Sequence, residues 1–216
     1  MEPSGSTKAA ALTGIHRTTS FRWRHRFLFE TKNDRPGKLA GIVEADETYL
    51  LESQKGSRHL TRPARRRGGV AHTRGITHEH DCLLVARDRG KGTRDWVAGR
   101  GQITEVKLHN TLRPVLDPAA VLVSDGAAAY RSFTLAAEIR HEPINVHAGI
   151  LVRGEFHIQN VNSYHSRFHR WLAPFNGVAS RYLVNYLGWR HALDGDRIAS
   201  PPRFLIAALG APPGFQ

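Results

Sequence analysis

The chain has 216 residues, 40% of them hydrophobic, which suffices for a buried core and excludes a disordered composition. Its 31 Lys and Arg residues against 19 Asp and Glu residues give a formal charge of +12, which favours a polyanion such as nucleic acid as partner. The single cysteine excludes an internal disulfide and a cysteine zinc ribbon, and the lack of a signal peptide or of an apolar run of ~20 residues predicts a cytoplasmic protein without a membrane segment.

The N-terminal part of the chain predicts a short helical segment after a poorly ordered tail. Residues 1–11 are small and polar and form the predicted tail. Residues 12–32 have a turn at Gly14 and then helical spacing from Ile15 to Trp23, similar to the turn and second helix of a helix-turn-helix. This motif is partial, and the alternative is an amphipathic helix that packs on the main domain. Its predicted DNA-binding residues are Arg17, Arg22 and Arg24.

A turn-rich break at residues 33–38 is the predicted linker to the main domain. Residues 41–51 follow it and predict a strand, because they contain several β-branched and aromatic residues. Residues 52–74 contain few apolar residues and predict a mobile basic loop. This loop is either a solvated surface run or a contact to DNA, and the overall charge favours DNA. The predicted DNA contacts in the loop are Arg65, Arg66 and Arg67.

The rest of the chain predicts alternating strands and helices. The predicted strands are residues 82–87, a segment near Trp96 or Ile103, residues 120–126 and residues 144–146. The predicted helices are residues 105–116, 127–137, 160–172 and 178–193. Three early strands followed by helix, strand, helix, strand and two late helices fit a mixed α/β sheet of the ribonuclease H type, flanked by helices.

Two aspartates on predicted strands are candidate metal ligands. Asp46 lies among apolar residues inside the first strand, and buried aspartates are rare unless they are paired or bind a metal. Asp125 ends the most hydrophobic strand, where the alternative is ordinary turn chemistry before Gly126. Phosphoryl transfer on DNA needs charge neutralisation and an activated nucleophile, and two hard divalent ions about 3.5–4 Å apart supply both. Glu47 points to the opposite face of the strand and is predicted to be structural.

Several runs of residues together resemble the motifs of DDE-type insertion-sequence transposases, and among them the ISXO2-like group. The resemblance covers about residues 12–193, with the motifs in the family's order. The runs that carry it are Val43–Tyr49, Val123–Gly126 with Tyr130, Gln159–Trp171, Gly177–Leu183 and Tyr186–Arg190.

The resemblance implies a ribonuclease H-like catalytic domain over residues 39–194, followed by a Pro/Gly-rich tail at residues 195–216. It also implies two Mg²⁺ ions, for which Mn²⁺ substitutes, and DNA partners comprising the transposon ends and the target. In this family water first cuts at the transposon end, and the freed 3′-hydroxyl then attacks target DNA. A homodimer in the synaptic complex is a further implication.

By the same resemblance, Asp46 would bridge both metal ions and Asp125 would hold one of them. The family's third ligand is a glutamate, and the matching position here is Asn162, a neutral and weaker ligand. Glu155 is the alternative third ligand, and Asn162 would then be a helix cap or a solvent-facing amide. The late helix also supplies two further candidate DNA contacts, Arg167 and Arg170.

Three functions are compatible with these motifs. The first is an active transposase, and the second is a truncated DNA-binding remnant without catalysis. The absence of the family's N-terminal zinc ribbon and the presence of Asn162 favour the second. The third is a ribonuclease H-like nuclease with another role, such as junction resolution, which the motifs after Asn162 disfavour.

Overall fold

The computed structural model of the chain describes residues 5–32, 37–66, 69–145, 148–195, 198 and 200–209. The chain divides into two compact units, Pro36–Ser166 and the combination of Met1–Arg35 with Arg167–Gln216. Residues 33–36 of the predicted linker, together with Arg67 and Val146, lie outside the described residues. Within the described ranges, no helix has the length and apolar character that crossing a membrane requires.

A five-stranded mixed sheet forms the centre of the larger unit, in the order β3-β2-β1-β4-β5. Strand β2 pairs antiparallel with both β1 and β3, whereas β4 pairs parallel with both β1 and β5. This topology confirms the ribonuclease H-like mixed sheet predicted from the sequence. The strands are β1 (Ile42–Leu51), β2 (His80–Asp88), β3 (Thr93–Arg100), β4 (Val121–Ser124) and β5 (Arg140–Pro143).

Both faces of this sheet are covered, which explains why the central strands are so apolar. On one face, Val43, Ala45 and Leu122 belong to a core that also includes residues of α3 (Glu105–Thr111) and α4 (Ala128–Ala136). The opposite face carries a smaller cluster in which sheet residues pack with the start of α5 (Gln159–Leu172). The members of this cluster are Val85, Val123, Ile144, Ile158, Val161 and Tyr164. A short hairpin of β6 (Val152–Arg153) and β7 (Phe156–His157) precedes α5.

The smaller unit is helical and is organised around aromatic side chains. Its helices are α1 (Ser6–Thr13), α2 (Arg17–Thr31), the end of α5, α6 (Leu183–Asp194) and α7 (Pro201–Ala208). Single 3₁₀ turns at Ala173–Phe175 and Ser180–Tyr182 lie between α5 and α6. Edge-to-face contacts join Trp171 to Trp189, with ring centroids 5.1 Å apart, and Phe175 to Tyr186, at 5.0 Å. Such pairs stabilise beyond the area that they bury.

The two ends of the chain are more regular than the sequence predicted. Ser6–Thr13 form helix α1, whereas a poorly ordered segment was expected up to Ala11. The run of alanines in this segment has the highest helix propensity, and α1 contacts α2 as the first helix of a pair. Helix α7 at Pro201–Ala208 likewise occupies part of the predicted Pro/Gly-rich tail. The N-terminal segment is therefore a helical pair whose first helix begins before the predicted motif.

Some predicted boundaries inside the larger unit were wrong. Helix α3 ends at Thr111 instead of Leu116. The fifth strand is Arg140–Pro143 and not the apolar segment that starts at Ile144. Strand β5 forms because its backbone pairs with β4, and such pairing overrides weak local propensity. The third strand includes Trp96, one of its two predicted positions, and not Ile103.

A close approach between two helices of the smaller unit predicts the effect of Gly188→Ala. A Cβ atom at Gly188 would lie 2.7 Å from both the backbone N and Cα of Lys32, just after α2. Backbone cannot move aside as a flexible side chain can, so we expect a loss of about 1–3 kcal/mol in the free energy of unfolding. Helix propensity alone predicts the opposite sign, a gain of about 1 kcal/mol. Urea unfolding of the variant and wild type measures the difference.

The control for this prediction is Gly37→Ala, because a Cβ atom at Gly37 would meet no atom within 4 Å. This variant should unfold at the wild-type urea concentration or slightly above it. A Gly188→Ala protein as stable as the control would show that the two segments do not approach each other as closely as described.

Candidate active site

The register of two parallel strands places the two predicted aspartates side by side. Val43 pairs with Leu122 and Glu44 with Val123, and the same register continued two residues further sets Asp125 beside Asp46. Neighbouring strands are about 4.8 Å apart, and paired residues point to the same face of the sheet. The carboxylates of Asp46 and Asp125 therefore share one face at the end of β4.

The turn after β4 orients Asp125. Its Oδ1 accepts a hydrogen bond from the backbone N–H of Ala127 at 3.0 Å, which is the turn chemistry anticipated for an aspartate before glycine. Gly126 has φ +79°, and a Cβ atom there would lie 2.9 Å from Cβ of Pro143. The strand end therefore requires glycine directly after the aspartate. Turn chemistry and a ligand role are compatible, because Oδ2 takes no part in the hydrogen bond to Ala127.

Asp46 is in an unfavourable place for a charged group. Burial, followed by the nearby charges of Glu47 and Asp125, raises the pKa of Asp46 to about 7. Its side chain is 20% exposed, so the carboxylate is accessible from one side. Two carboxylates that share a site repel each other when both are ionised, which raises their pKa. A bound cation would favour the ionised form of both.

Helix α5 brings two further polar residues to the Asp46 side of the sheet. Nδ1 of His165 lies 3.6 Å from Oδ2 of Asp46, and this contact is an ion pair only when the imidazole is protonated. Asn162 is three residues earlier on the same helix, so its Cβ lies about 5–6 Å from that of His165. The Asn162 side chain is exposed. The structure thus brings His165 of α5 next to Asp46.

Glu44 lies on the same face of β1 and is a residue that the sequence reasoning did not single out. Its carboxylate is completely buried and accepts hydrogen bonds from the backbone N–H groups of Asn160 and Val161, at 2.8 and 3.1 Å. Nδ2 of Asn160 donates a third bond at 2.7 Å, and Arg89 forms an ion pair at 3.0 Å. The available signal was the spacing of Glu44 and Asp46, two acids on one face of an apolar strand.

Glu47 lies on the opposite face of β1, as the alternation of strand side chains requires. Its carboxylate accepts hydrogen bonds from the hydroxyls of Tyr130 at 2.8 Å and Tyr49 at 3.2 Å. Burial raises the pKa of Glu47, and the Tyr130 hydrogen bond opposes that rise. Because Tyr130 belongs to α4, this contact ties the helix that follows Asp125 to the strand that carries Asp46.

The donor set on this face fits a hard divalent cation. Asp46 and Asp125 supply carboxylate oxygens, which Mg²⁺ and Mn²⁺ prefer. Within the part of the chain that the structure describes, no three His, Cys, Asp or Glu side chains converge in a geometry that would hold a metal ion. A third protein ligand would therefore come from another donor type, such as the amide oxygen of Asn162. Water commonly completes the coordination of Mg²⁺.

Glu155, the alternative third ligand, lies in the turn between β6 and β7. Its side chain is exposed, and its backbone carbonyl accepts a hydrogen bond from Arg89 at 2.9 Å. Nothing in the described contacts connects its carboxylate to Asp46 or Asp125. Asn162, by contrast, lies one helical turn from the residue that contacts Asp46, so it remains the better candidate.

The predicted DNA-binding arginines fall into two groups by environment. The exposed group consists of Arg17, Arg22, Arg66 and Arg170. The second group, Arg24, Arg65 and Arg167, is only partly exposed. Arg24 stacks over the rings of Phe175 and Trp189 at 5.6 and 5.8 Å, and Arg167 donates to Asp194 at 2.9 Å.

Arg65 belongs to the second group because the β1–β2 loop is organised by ion pairs. Its guanidinium contacts Glu79 at 2.5 Å and donates to the backbone carbonyl of Glu52 at 2.7 Å. The Glu52 carboxylate is buried and also binds Arg62 and Arg100, at 2.8 and 3.0 Å. The loop that the sequence predicted to be mobile and basic thus contains arginines that are paired with Glu52 and Glu79.

Comparison with known proteins identifies the family. The ISXO2-like transposase domain matches residues 38–190, and the chain belongs to this family. A relative from Halobacterium salinarum, an uncharacterized protein in transposable element ISH50, is 32% identical over 171 residues. The aligned part covers 78% of this chain and 57% of the relative, so the chain spans little more than half of that protein's length.

Three solved structures show weak similarity to the chain. A simian T-cell lymphotropic virus intasome in complex with PP2A regulatory subunit B56 gamma aligns with 98% of this chain and 73% of that chain, at 12% identity and a TM-score of 0.40. A pre-cleavage Mos1 transpososome aligns with 99% and 76%, at 12% identity and a TM-score of 0.29. The Mos1 strand transfer complex aligns with 90% and 63%, at 15% identity and a TM-score of 0.29.

The raised pKa of Asp46 predicts a pH-dependent difference in stability between wild type and Asp46→Asn. The folded state binds this proton more tightly than the unfolded chain, so ionisation of Asp46 destabilises the fold as pH rises from about 4 to about 7. The variant lacks this loss. Between pH 4.5 and pH 8 its free energy of unfolding should gain about 2–4 kcal/mol relative to wild type.

Urea unfolding at both pH values, with a chelator present, measures this difference. Titrations common to both proteins largely cancel in the comparison. A stability difference that is the same at pH 4.5 and pH 8 would contradict the buried, charge-repelled environment of Asp46.

Proposed function

We propose that this chain is the catalytic core of an insertion-sequence transposase that cleaves DNA and transfers the cut strand with the help of two divalent metal ions. The observation that carries the proposal is the adjacency of Asp46 and Asp125 across β1 and β4 in a chain of the ISXO2-like transposase family. Mg²⁺ is the proposed ion, and Mn²⁺ substitutes for it. We also propose the domain boundaries predicted from the sequence, which place catalysis in residues 39–194.

Each side chain of the site has a proposed task. Asp46 and Asp125 would hold the ions through carboxylate oxygens, and Asn162 would add an uncharged oxygen ligand. His165 contacts the Asp46 carboxylate and thereby orients it. When bound, the ions stabilise the charge that develops on the reacting phosphate and lower the pKa of attacking water. The protein supplies rigidity, since Asp46 lies within a strand paired on both sides.

DNA is the proposed partner, both as transposon end and as target, and a homodimer is the proposed synaptic form. Support comes from the formal charge of +12 and from exposed arginines in the described residues. Arg66, Arg17, Arg22 and Arg170 are the proposed phosphate contacts because their side chains are exposed. Arg24, Arg65 and Arg167 are less exposed and are assigned structural roles. Arg67 stays a prediction from the sequence.

Cleavage of a labelled DNA fragment that carries the element's own terminal repeat tests the proposal. We expect wild type to nick at the repeat boundary with Mg²⁺ or Mn²⁺ and not with chelator. Asp46→Asn should abolish cleavage, because it removes a carboxylate that would hold the ions, while DNA affinity stays largely intact.

Glu105→Gln is the matched control, since it neutralises an exposed carboxylate of α3. Equal cleavage by wild type and Asp46→Asn would refute the site assignment. DNA binding without any metal-dependent cutting by wild type would instead support the second function, a DNA-binding transposase remnant that lacks catalysis.

Adjacent arginines of the β1–β2 loop allow a test of the DNA contacts. Arg66→Ala should reduce the slope of log affinity against log salt concentration by about 1, because one phosphate contact is lost. Arg65→Ala should leave the slope unchanged, because its guanidinium is held by Glu52 and Glu79. Fluorescence anisotropy with duplex DNA at several salt concentrations measures both slopes. Equal reductions in the two variants would contradict this division of the arginines.

A further inference from the structure

Glu44 is a charged group in the interior of a strand, where carboxylates are almost never found without compensating partners. It is 0% exposed, and its neighbours in sequence, Val43 and Ala45, belong to the apolar core on the other face. Its partners must therefore come from outside β1. They come from α5, from Arg89 just after β2, and from His157 of β7, whose Nδ1 lies 3.3 Å from Oε1 of Glu44.

The partners on α5 are donors of its first turn. The first four backbone N–H groups of a helix have no acceptor inside the helix, and an anion placed there is stabilised by the helix dipole. Oε2 of Glu44 accepts from the N–H groups of Asn160 and Val161, and Oε1 accepts from the Asn160 side chain. Such capping usually comes from a residue next to the helix. Here it comes from a strand residue 116 positions earlier.

The position of Glu44 relates this helix start to the candidate metal ligands. Glu44 and Asp46 are on the same strand and face, two residues and therefore about 6.7 Å apart. Asn162 lies in the turn of α5 whose N–H groups Glu44 binds. One rigid strand thus carries both Asp46 and the group that holds the helix segment containing Asn162.

We propose that Glu44 is a positioning residue: it fixes the first turn of α5 against β1 and so holds Asn162 within reach of the cation bound by Asp46. This inference rests on the proposed function, since it concerns the same metal site. Glu44 itself does not contact the ion or DNA. A carboxylate that only stabilised the fold would be the competing explanation, and the test separates the two.

The test compares Glu44→Ala and Glu44→Gln with a matched control, Asp95→Asn, in the full chain. Asp95 is also a buried carboxylate that binds α5, through the Tyr164 hydroxyl at 2.6 Å, but it contacts the helix beyond its first turn. Hydrogen–deuterium exchange reports on the N–H groups of residues 159–163. Electron paramagnetic resonance titration measures the dissociation constant for Mn²⁺ without any requirement for activity.

In Glu44→Ala we expect exchange of the first turn of α5 to accelerate about tenfold or more, because hydrogen bonds to a charged acceptor are lost. The Mn²⁺ dissociation constant should rise about 10- to 100-fold, as is typical when a group that orients a ligand is removed. Glu44→Gln retains one acceptor oxygen and should give intermediate changes in both. It also replaces Glu44→Ala in the test if that variant does not fold. Asp95→Asn should change neither quantity.

Faster exchange with an unchanged Mn²⁺ dissociation constant would overturn the proposal, because Glu44 would then be merely structural. Equal weakening of Mn²⁺ binding in Asp95→Asn would also overturn it, as a sign of general loosening. Wild type that binds no Mn²⁺ would contradict the proposed function and, with it, the positioning of Asn162 towards an ion. If wild type binds Mn²⁺ but hydrogen exchange is unchanged in the Glu44 variants, the positioning role of Glu44 is refuted and the proposed function is not.

Discussion

Three carboxylates in the interior of one strand are the constraint on which the larger unit depends. Glu44, Asp46 and Glu47 lie within four residues of β1, and burying each charge is unfavourable unless a partner offsets it. Glu44 is offset by the start of α5 and by Arg89, and Glu47 by two tyrosine hydroxyls. Burial, followed by the nearby charges of Glu47 and Asp125, raises the pKa of Asp46 to about 7. Its environment therefore favours a bound cation.

The partners of these carboxylates also determine the placement of the neighbouring helices. Glu47 binds Tyr130 of α4, the helix that follows Asp125, and Glu44 binds the first turn of α5, the helix that carries Asn162 and His165. Strand β1 is itself paired along β2 and β4. All elements that contribute to the candidate site are thus connected to one strand in the middle of the sheet, where local opening is least favourable.

The arginines that contribute to the positive charge of the chain lie in different environments. Arg24, Arg65 and Arg167 bind aromatic rings or carboxylates within their own unit, and these contacts stabilise the fold. Arg66 is exposed, and under the proposed function its charge contacts a phosphate of DNA. Net charge alone does not separate these environments, because it counts an arginine with internal contacts and an exposed arginine alike.

The sequence by itself determined the mixed sheet and the family and indicated the two candidate aspartates, since strand alternation, apolar runs and short motifs are local patterns. It did not reveal the Glu44 contact to α5, the ion pairs of Arg65 or the correct position of β5. Each of these joins residues far apart in the chain, as Glu44 and Asn160 are, and local residue types do not specify such pairs. Only the tertiary structure decided them, because hydrogen bonding of buried charges is satisfied by whichever donors the packed elements bring close.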